Sequence, residues 1–307
     1  MQLTPEQVKG RIKNVAKENK ADARTLMRIY MMERFLERVA NSQYKDNFII
    51  KGGMLVTAMV GVALRSTMDI DTSIKNQNLS AEDAKRIVIL SHGYRGSRFG
   101  TLSFMAKYLH EHQCNLLFME QRCCGESEGK YITFGAKEKW DVQRWAIYVS
   151  ERNKEKLPIY LYGQSMGAAA VLMASGYRLP SEVKGLIADC GFQSMERQMR
   201  DMAANWFHLH HIPLLLMELD WFCSLLAGFH MKDADTTEAM KKNKRPVLFF
   251  HGEKDTYVYP NNSFQNYMLC RAEKELVIIP GARHLCSAYA DPELYQHKMM
   301  EFFEKYD

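Results

Sequence analysis

The spacing of hydrophobic and polar positions changes character at about residue 86. Beyond it, short apolar runs alternate with stretches of helical period, and we predict strands at residues 86–91, 115–120, 159–162, 183–189, 246–251 and 275–280. Nearly continuous apolar strands with helices between them indicate a parallel sheet that is buried on both faces. The sequence therefore predicts an α/β domain over residues 86–307.

Residues 1–85 follow a different pattern. Apolar side chains recur at helical spacing up to about residue 44, with Thr4 as N-cap and Pro5 as the first helical residue. A short strand then ends in the pair Gly52-Gly53, an apolar helix follows, and residues 68–74 (MDIDTSI) alternate as a half-buried strand does. We predict a separate α+β segment here.

The stretch 196–244 is longer than a crossover between two parallel strands requires. Its aromatic, leucine and methionine content predicts a helical cap over the carboxyl ends of the strands, where such sheets bind ligands. Within the cap, the run IPLLLMELDWFCSLLAGF is interrupted by Glu218 and Asp220. We interpret this run as an amphipathic helix pair rather than a membrane span.

Composition excludes some classes of protein. Hydrophobic residues make up 47% of the 307, which is enough for a sizeable core, and the net charge of +5 gives no case for a nucleic-acid partner. Seven cysteines without a repeated CxxC pair, and a polar N-terminus without a signal peptide, indicate reduced thiols in a cytoplasmic protein. We expect no membrane partner, and the sequence specifies no oligomeric state.

The stretch IYLYGQSMGAAA carries the strongest chemical signal. It places Ser165 between Gly163 and Gly167, after an apolar strand and before a small-residue helix. A G-x-S-x-G turn in this context is a nucleophile elbow, in which the glycines avoid steric clashes and the strained turn exposes the hydroxyl. The following helix N-terminus favours developing negative charge. An ordinary strand–helix turn is the alternative interpretation.

A serine hydroxyl needs a base to become a nucleophile. Asp255 follows the strand at 246–251, and His284 follows the next strand. The order Ser165, Asp255, His284 is the chain order of α/β-hydrolases. His284 would accept the serine proton, and Asp255 would orient the imidazole and stabilise its charged form.

Backbone N–H groups can complete such a site. The sequence ILSHGYRGS follows the first parallel strand, and we predict that the N–H groups of Tyr94 and Met166 form an oxyanion hole. His92 in the same stretch is interpreted as a structural histidine that bonds the loop. His208, His210 and His211 do not share one helix face, so a position on the cap surface is favoured over a metal cluster.

On these residues, the chain from 86 to 307 resembles the serine α/β-hydrolase superfamily, in particular its bacterial single-domain members. The stretch MEQRCCGESEGKYITFG is similar to their D-x-R-x-H-G-x-S-x-G segment, with Cys123-Cys124 where small residues and histidine are commoner. The resemblance implies hydrolysis of a small-molecule ester, thioester or amide through an acyl-enzyme, without a cofactor.

The segment FIIKGGMLVTAMVGVALRSTMDIDTSIK resembles another family, the AbiEii/AbiGii nucleotidyltransferase toxins. The resemblance implies a nucleotide-binding turn at Gly52-Gly53 and Mg²⁺ ligands at Asp69 and Asp71. Such transferases need a third carboxylate from a later part of their chain, and here a hydrolase follows instead. We therefore interpret residues 1–85 as a truncated, inactive fragment, and Mg²⁺ would matter only if this segment were active.

The hydrolase resemblance also starts late, because the usual first strands of that family are missing before residue 86. We expect the missing strands to be edge strands, so that the parallel core and the catalytic triad can still form. An uncovered edge would lower stability and invite association. Three hypotheses remain: a serine hydrolase, which the complete triad favours, a nucleotidyltransferase toxin-like protein using Asp69, Asp71 and Mg²⁺, and an inactive chimera.

Overall fold

The computed structural model describes residues 5–18, 48–51, 71–74 and 84–307, together with scattered positions between 22 and 41. The chain divides into two compact units, Met1–Ser80 and Ala81–Asp307. In the first unit, helix α1 (Pro5–Glu18) begins at the predicted proline, and strands β1 (Phe48–Lys51) and β2 (Asp71–Ile74) pair antiparallel. The predicted apolar helix between these strands lies outside the described residues.

The second unit is built on a sheet of six parallel strands in the order β4-β3-β5-β6-β7-β8. The strands are β3 (Arg86–Ser91), β4 (Cys114–Met119), β5 (Ile159–Gln164), β6 (Val183–Asp189), β7 (Val247–Gly252) and β8 (Lys274–Ile279). All six predicted strands are confirmed to within two residues at each end. Strands β4 and β8 are the edges of the described sheet, and no described strand precedes β3 in it.

Helices connect the strands as the alternating pattern predicts. They are α2 (Arg98–Glu111), α3 (Glu138–Arg152), α4 (Met166–Ala174), α5 (Met195–Phe207), α6 (Pro213–Phe222), α7 (Thr237–Lys242), α8 (Asn261–Leu269), α9 (Ser287–Ala290) and α10 (Pro292–Tyr306). Each described crossover therefore returns the chain to the same end of the sheet, and the carboxyl ends of the strands lie together at one edge.

Both faces of the sheet are buried, which explains why its strands are apolar at nearly every position. Alternate residues point to opposite faces: Ile89 and Leu161 pack with α3 and α4, whereas Leu90 and Tyr162 pack with α2 and α10. A strand with two buried faces cannot show the polar alternation of a half-exposed strand. The continuous apolar runs in the sequence are the consequence.

The cap over residues 196–244 is helical, but one detail of its prediction is wrong. Helix α6 continues without a break into a π-helical turn, Cys223–Ala227, and ends at Gly228 in a left-handed conformation with φ +62°. The run is therefore one helical segment rather than a pair, because it contains no glycine or proline between Pro213 and Gly228 that would end the first helix. No helix among the described residues is long and apolar enough to cross a membrane.

Candidate active site

The turn between β5 and α4 presents Ser165 at the carboxyl edge of the sheet. Ser165 adopts φ 52° and ψ −118°, a conformation that L-residues rarely occupy, and its N–H donates to the carbonyl of Asp189 on β6 at 2.8 Å. A Cβ on Gly163 would collide with the backbone of Gly167, and a Cβ on Gly167 would collide with the carbonyl of Ser91. Glycine is thus required on both sides of the serine.

Two other strand ends bring partners to this serine. His284 follows β8, and its Nε2 lies 3.0 Å from Ser165 Oγ although the residues are 119 apart in sequence. Asp255 follows β7, and its Oδ2 lies 2.6 Å from His284 Nδ1. Because the carboxylate can only accept, Nδ1 carries a proton and Nε2 is free to accept from the serine hydroxyl. The structure thus joins Ser165, His284 and Asp255 by hydrogen bonds.

Asp255 is buried and surrounded by donors. Its Oδ1 accepts the backbone N–H groups of Tyr257 and Val258, both at 2.9 Å. Burial raises the pKa of this carboxyl, but hydrogen bonds from His251, His284 and the backbone outweigh burial and lower the pKa to about 2. Asp255 is therefore an anion throughout the physiological pH range.

The loop after β3 passes directly beside the serine. A Cβ on Gly93 would lie 3.2 Å from Ser165 Cβ, so the backbone before Tyr94 contacts the nucleophile turn. Met166 opens helix α4, where the first N–H groups of a helix lack intrahelical partners. The assignment of the Tyr94 and Met166 N–H groups to an oxyanion hole stays a prediction.

His92 bonds this loop, as predicted. The ring is fully buried, its Nδ1 lies 2.8 Å from the carbonyl of Gly93, and its Nε2 accepts the N–H of Gln121 at 3.1 Å. Nδ1 must therefore carry the proton, and burial lowers the pKa of His92. A buried ring whose two nitrogens are both hydrogen-bonded to the backbone holds the loop in place.

Three buried polar residues at the site were missed by the sequence interpretation. Asp189 and Cys190 lie at the end of β6, and His251 lies in β7 with its Nε2 3.3 Å from Asp255 Oδ2. The Asp189 carboxylate accepts the hydroxyls of Ser287 and Tyr295 at 3.1 and 3.0 Å. Their position at the carboxyl ends of parallel strands was the signal that could have identified them.

Metal ligation has little support among the described residues. The one group there with metal-like spacing is Cys190, Asp255 and His284, two of which are already hydrogen-bonded to each other. His208, His210 and His211 are exposed on the cap, as predicted. All seven cysteines, including the adjacent Cys123 and Cys124, are free thiols.

Aromatic rings line the way from the triad residues to the cap. The Tyr257 ring lies 4.9 Å from the His284 ring, and the Trp206 ring lies 5.4 Å from that of Tyr257. In the loop after β3, Tyr94 stacks on Phe134 with ring centroids 5.3 Å apart. We call these rings the aromatic border of the candidate site.

The predicted site of the N-terminal unit cannot be assembled from the described residues. Gly52, Gly53 and Asp69 lie outside them. Asp71 begins β2 and is paired in register with Lys51 of β1, but its side chain also lies outside the described part. The nucleotide-binding and Mg²⁺-binding roles of these residues stay predictions.

Comparison with known proteins agrees with the geometry. Residues 82–218 match the family model of the serine aminopeptidases, S33. The protein YqkD of Bacillus subtilis is 26% identical over 231 residues, which are 75% of this chain and 75% of that protein. WAV2, an α/β hydrolase domain-containing protein of Arabidopsis thaliana, is 28% identical over 208 residues, or 63% of this chain and 62% of that protein.

Solved structures show the same fold. The esterase Pf2001 of Pyrococcus furiosus superposes with a TM-score of 0.59 at 22% identity, covering 73% of this chain and 83% of that chain. The C-terminal unit thus has the α/β-hydrolase fold, as the resemblance inferred from the sequence implied. Residues 34–108 match the model of the AbiEii nucleotidyl transferase toxins of type IV toxin–antitoxin systems. The two family matches overlap at residues 82–108, which include the predicted junction at residue 86.

Proposed function

We propose that this protein is a serine hydrolase that cleaves an ester, thioester or amide bond through an acyl-enzyme. The observation that carries the proposal is the unbroken path of hydrogen bonds from Ser165 Oγ through His284 to Asp255. The hydrolase family match and the fold support the same class of reaction. The acyl-enzyme mechanism follows from the chemistry of these three side chains.

In the first half-reaction, His284 Nε2 accepts the proton of Ser165 as Oγ attacks the substrate carbonyl carbon. The carbonyl oxygen then carries a negative charge, and His284 returns the proton to the leaving alcohol, thiol or amine as the bond to it breaks. An acyl group remains on Ser165. In the second half-reaction, a water loses a proton to His284 as it attacks the acyl carbon. The bond from that carbon to Oγ then breaks, His284 returns the proton to Oγ, and a carboxylic acid leaves.

Asp255 contributes by its charge and its fixed position. An anion 2.6 Å from Nδ1 holds the imidazole in the tautomer that can accept the serine proton, and it stabilises the imidazolium that forms. The positive end of helix α4 and the N–H groups of Met166 and Tyr94 would stabilise the oxyanion. These groups account for the chemistry, and we propose that the reaction needs no metal or organic cofactor.

The aromatic border favours a small-molecule substrate with an apolar acyl or alkyl group. Trp206, 47% exposed, reaches His284 through Tyr257, so an apolar substituent could pack there beside the reaction centre. Phe207, Trp221 and Phe222 are also exposed on the cap. Of these four aromatic side chains, Trp206 is the one whose contacts support a role in substrate binding.

The proposal is tested by labelling the purified full chain with a fluorophosphonate probe, which reacts with activated serines. We expect stoichiometric labelling of wild type and none of Ser165→Ala. The matched control is Ser175→Ala at the end of helix α4, whose hydroxyl bonds the carbonyl of Leu172 away from His284; it should label as wild type does. A folded wild type that does not label would contradict the proposal.

Turnover of p-nitrophenyl esters of increasing chain length, beside the matching thioesters and anilides, then separates the carboxylesterase and peptidase-like alternatives. We expect the esters to be the best substrates, because the Pyrococcus protein of similar fold is an esterase. Anilides cleaved with the highest kcat/KM would instead favour a peptidase-like activity, in line with the name of the matching family model.

A further inference from the structure

His251 is one of three buried side chains at the site for which the reaction steps above assign no role. It lies in the last part of β7, four residues before Asp255, and its ring is completely buried. Its Nε2 lies 2.7 Å from the carbonyl oxygen of Val258 and 3.3 Å from Asp255 Oδ2. Its Nδ1 lies 2.6 Å from Ser263 Oγ on helix α8.

These contacts determine where the proton of the ring lies. Nε2 faces two oxygens, the Val258 carbonyl and the Asp255 carboxylate, and both can only accept hydrogen bonds. Nε2 must therefore carry a proton and donate. Nδ1 faces a hydroxyl, which can supply the proton of that contact, so the neutral Nε2–H tautomer satisfies all three partners.

Asp255 Oδ2 is thus shared by two imidazoles. His284 Nδ1 donates to it at 2.6 Å, and His251 Nε2, whose N–H bonds the Val258 carbonyl, lies 3.3 Å from the same oxygen. Oδ1 accepts from Tyr257 and Val258. Four N–H groups therefore surround the anion, and the N–H of His251 is the one held by a second acceptor.

We propose that His251 is a positioning residue for the reaction: its Nε2–H fixes the Asp255 carboxylate and limits how much of its negative charge acts on His284. The role rests on the serine-hydrolase function proposed above. Without the second donor, more of the charge on Oδ2 would be directed at the imidazolium form of His284. His284 would then hold its proton to higher pH and become a poorer proton donor to the leaving group.

The His251 and Ser263 variants described below do not substitute the other ionisable groups near His251. Burial raises the pKa of Asp189, which also interacts electrostatically with His251, and burial raises the pKa of Cys190. Asp255, 3.3 Å from Nε2, and Asp189 at the end of β6 are the charged groups that act on this ring, while His284 is linked to it through Asp255, and Tyr295 on α10 and Tyr162 on β5 through Asp189.

Two amide variants separate the two ring nitrogens. His251→Gln places an amide N–H near the position of Nε2 and keeps a donor for Asp255. His251→Asn reaches only to the position of Nδ1 and loses that donor. Ser263→Ala is the structural control, because it removes the contact at Nδ1 and leaves the Nε2 donor in place.

The measurement is the pH titration of the His284 ring by NMR of the full chain labelled with ¹⁵N-histidine, with the resonance assigned from His284→Gln. We expect the midpoint to move up by roughly half a pH unit in His251→Asn, as expected when a carboxylate loses one donor, and to stay at its wild-type value in His251→Gln and Ser263→Ala. On the best ester, kcat of His251→Asn should fall about tenfold with KM unchanged.

The proposal is overturned if the midpoint does not move in folded His251→Asn, if His251→Gln moves it equally, or if Ser263→Ala does so. The titration does not depend on turnover. Failure of the wild type to react with the fluorophosphonate would therefore reject the hydrolase function, while the titrations would still decide whether His251 controls the Asp255–His284 pair.

Discussion

At the scale of single residues, saturation by donors decides what Asp255 can do. A buried carboxyl group ordinarily becomes easier to protonate, because its charge loses contact with water. Here two backbone N–H groups and two imidazoles replace that water, and the pKa falls to about 2. The same saturation keeps the carboxylate in one orientation, which is what an orienting group for His284 requires.

This depressed pKa has a consequence for stability. The folded pKa of Asp255 lies below its value in the unfolded chain, so the ionised carboxylate adds about 2 kcal/mol to the free energy of unfolding above pH 4. That contribution is lost as the pH falls from about 4 towards 2. Asp255→Asn lacks this contribution. We therefore expect the difference in free energy of unfolding between wild type and Asp255→Asn, measured by urea denaturation, to become smaller as the pH falls through this interval.

A difference between wild type and Asp255→Asn that stays constant from pH 6 to the acid range would show that the carboxylate does not titrate with a depressed pKa. Asp255→Asn should also lose most of the proposed hydrolase activity at pH 7, on the order of a thousandfold in kcat, because an amide can present a donor to Nδ1 and favour the wrong tautomer of His284.

At the scale of elements, buried polar anchors bring loops to the reaction centre. The loop before α3 is held by Glu138, which is completely buried and accepts the N–H and hydroxyl of Thr133 at 2.8 and 2.6 Å and the N–H of Gly135 at 2.8 Å. Between these two lies Phe134, in a positive-φ conformation, with its ring stacked on Tyr94. A carboxylate on α3 thus supports the loop proposed to form the oxyanion hole.

We expect Glu138→Gln to lower the free energy of unfolding by about 2 kcal/mol, because one carboxylate oxygen is replaced by an amide donor that faces other buried donors. It should also lower kcat, since Phe134 and Tyr94 lose their fixed positions. The control is Glu155→Gln in the exposed turn after α3. Urea denaturation of both variants checks the prediction, and equal stabilities would contradict it.

At the scale of the whole molecule, two units carry similarities to unrelated families. The match to nucleotidyl transferase toxins covers residues 34–108, and the match to serine aminopeptidases begins at residue 82. Asp69 and Asp71 are the two carboxylates that the resemblance assigns to Mg²⁺. Two carboxylates without a third ligand group from the protein bind Mg²⁺ weakly, since this ion keeps its water and needs octahedral geometry.

We therefore expect no magnesium-dependent nucleotide transfer by the full chain, measured with radiolabelled nucleoside triphosphates. Asp69→Ala should give the same signal as wild type in this assay. The same variant should label with fluorophosphonate as wild type does. Transfer that requires Mg²⁺ and disappears in Asp69→Ala would reject the interpretation of the N-terminal unit as an inactive fragment and favour the transferase alternative.

Periodicity and local motifs predicted most of the second unit. Strands that are buried on both faces have apolar residues at nearly every position, so the sequence shows them as apolar runs. The elbow around Ser165 is a local conformation that the neighbouring glycines permit. The helical cap was recognised as well, but the π-helical turn at Cys223–Ala227 was not, because a π turn differs from an α turn in backbone geometry and not in residue pattern. Their positions just after predicted strands also identified Asp255 and His284 as candidate catalytic residues.

The sequence by itself determined the class of fold and the residues that could react, because alternation, turns and chain order are recorded in neighbouring positions. Tertiary structure alone decided the distances, such as the 3.0 Å between atoms of residues 119 apart. It also decided the contacts of His251, Glu138 and Asp189. Each of these is buried and polar, and its effect depends on donors and acceptors from distant strands and loops that fold onto it, which no local pattern encodes.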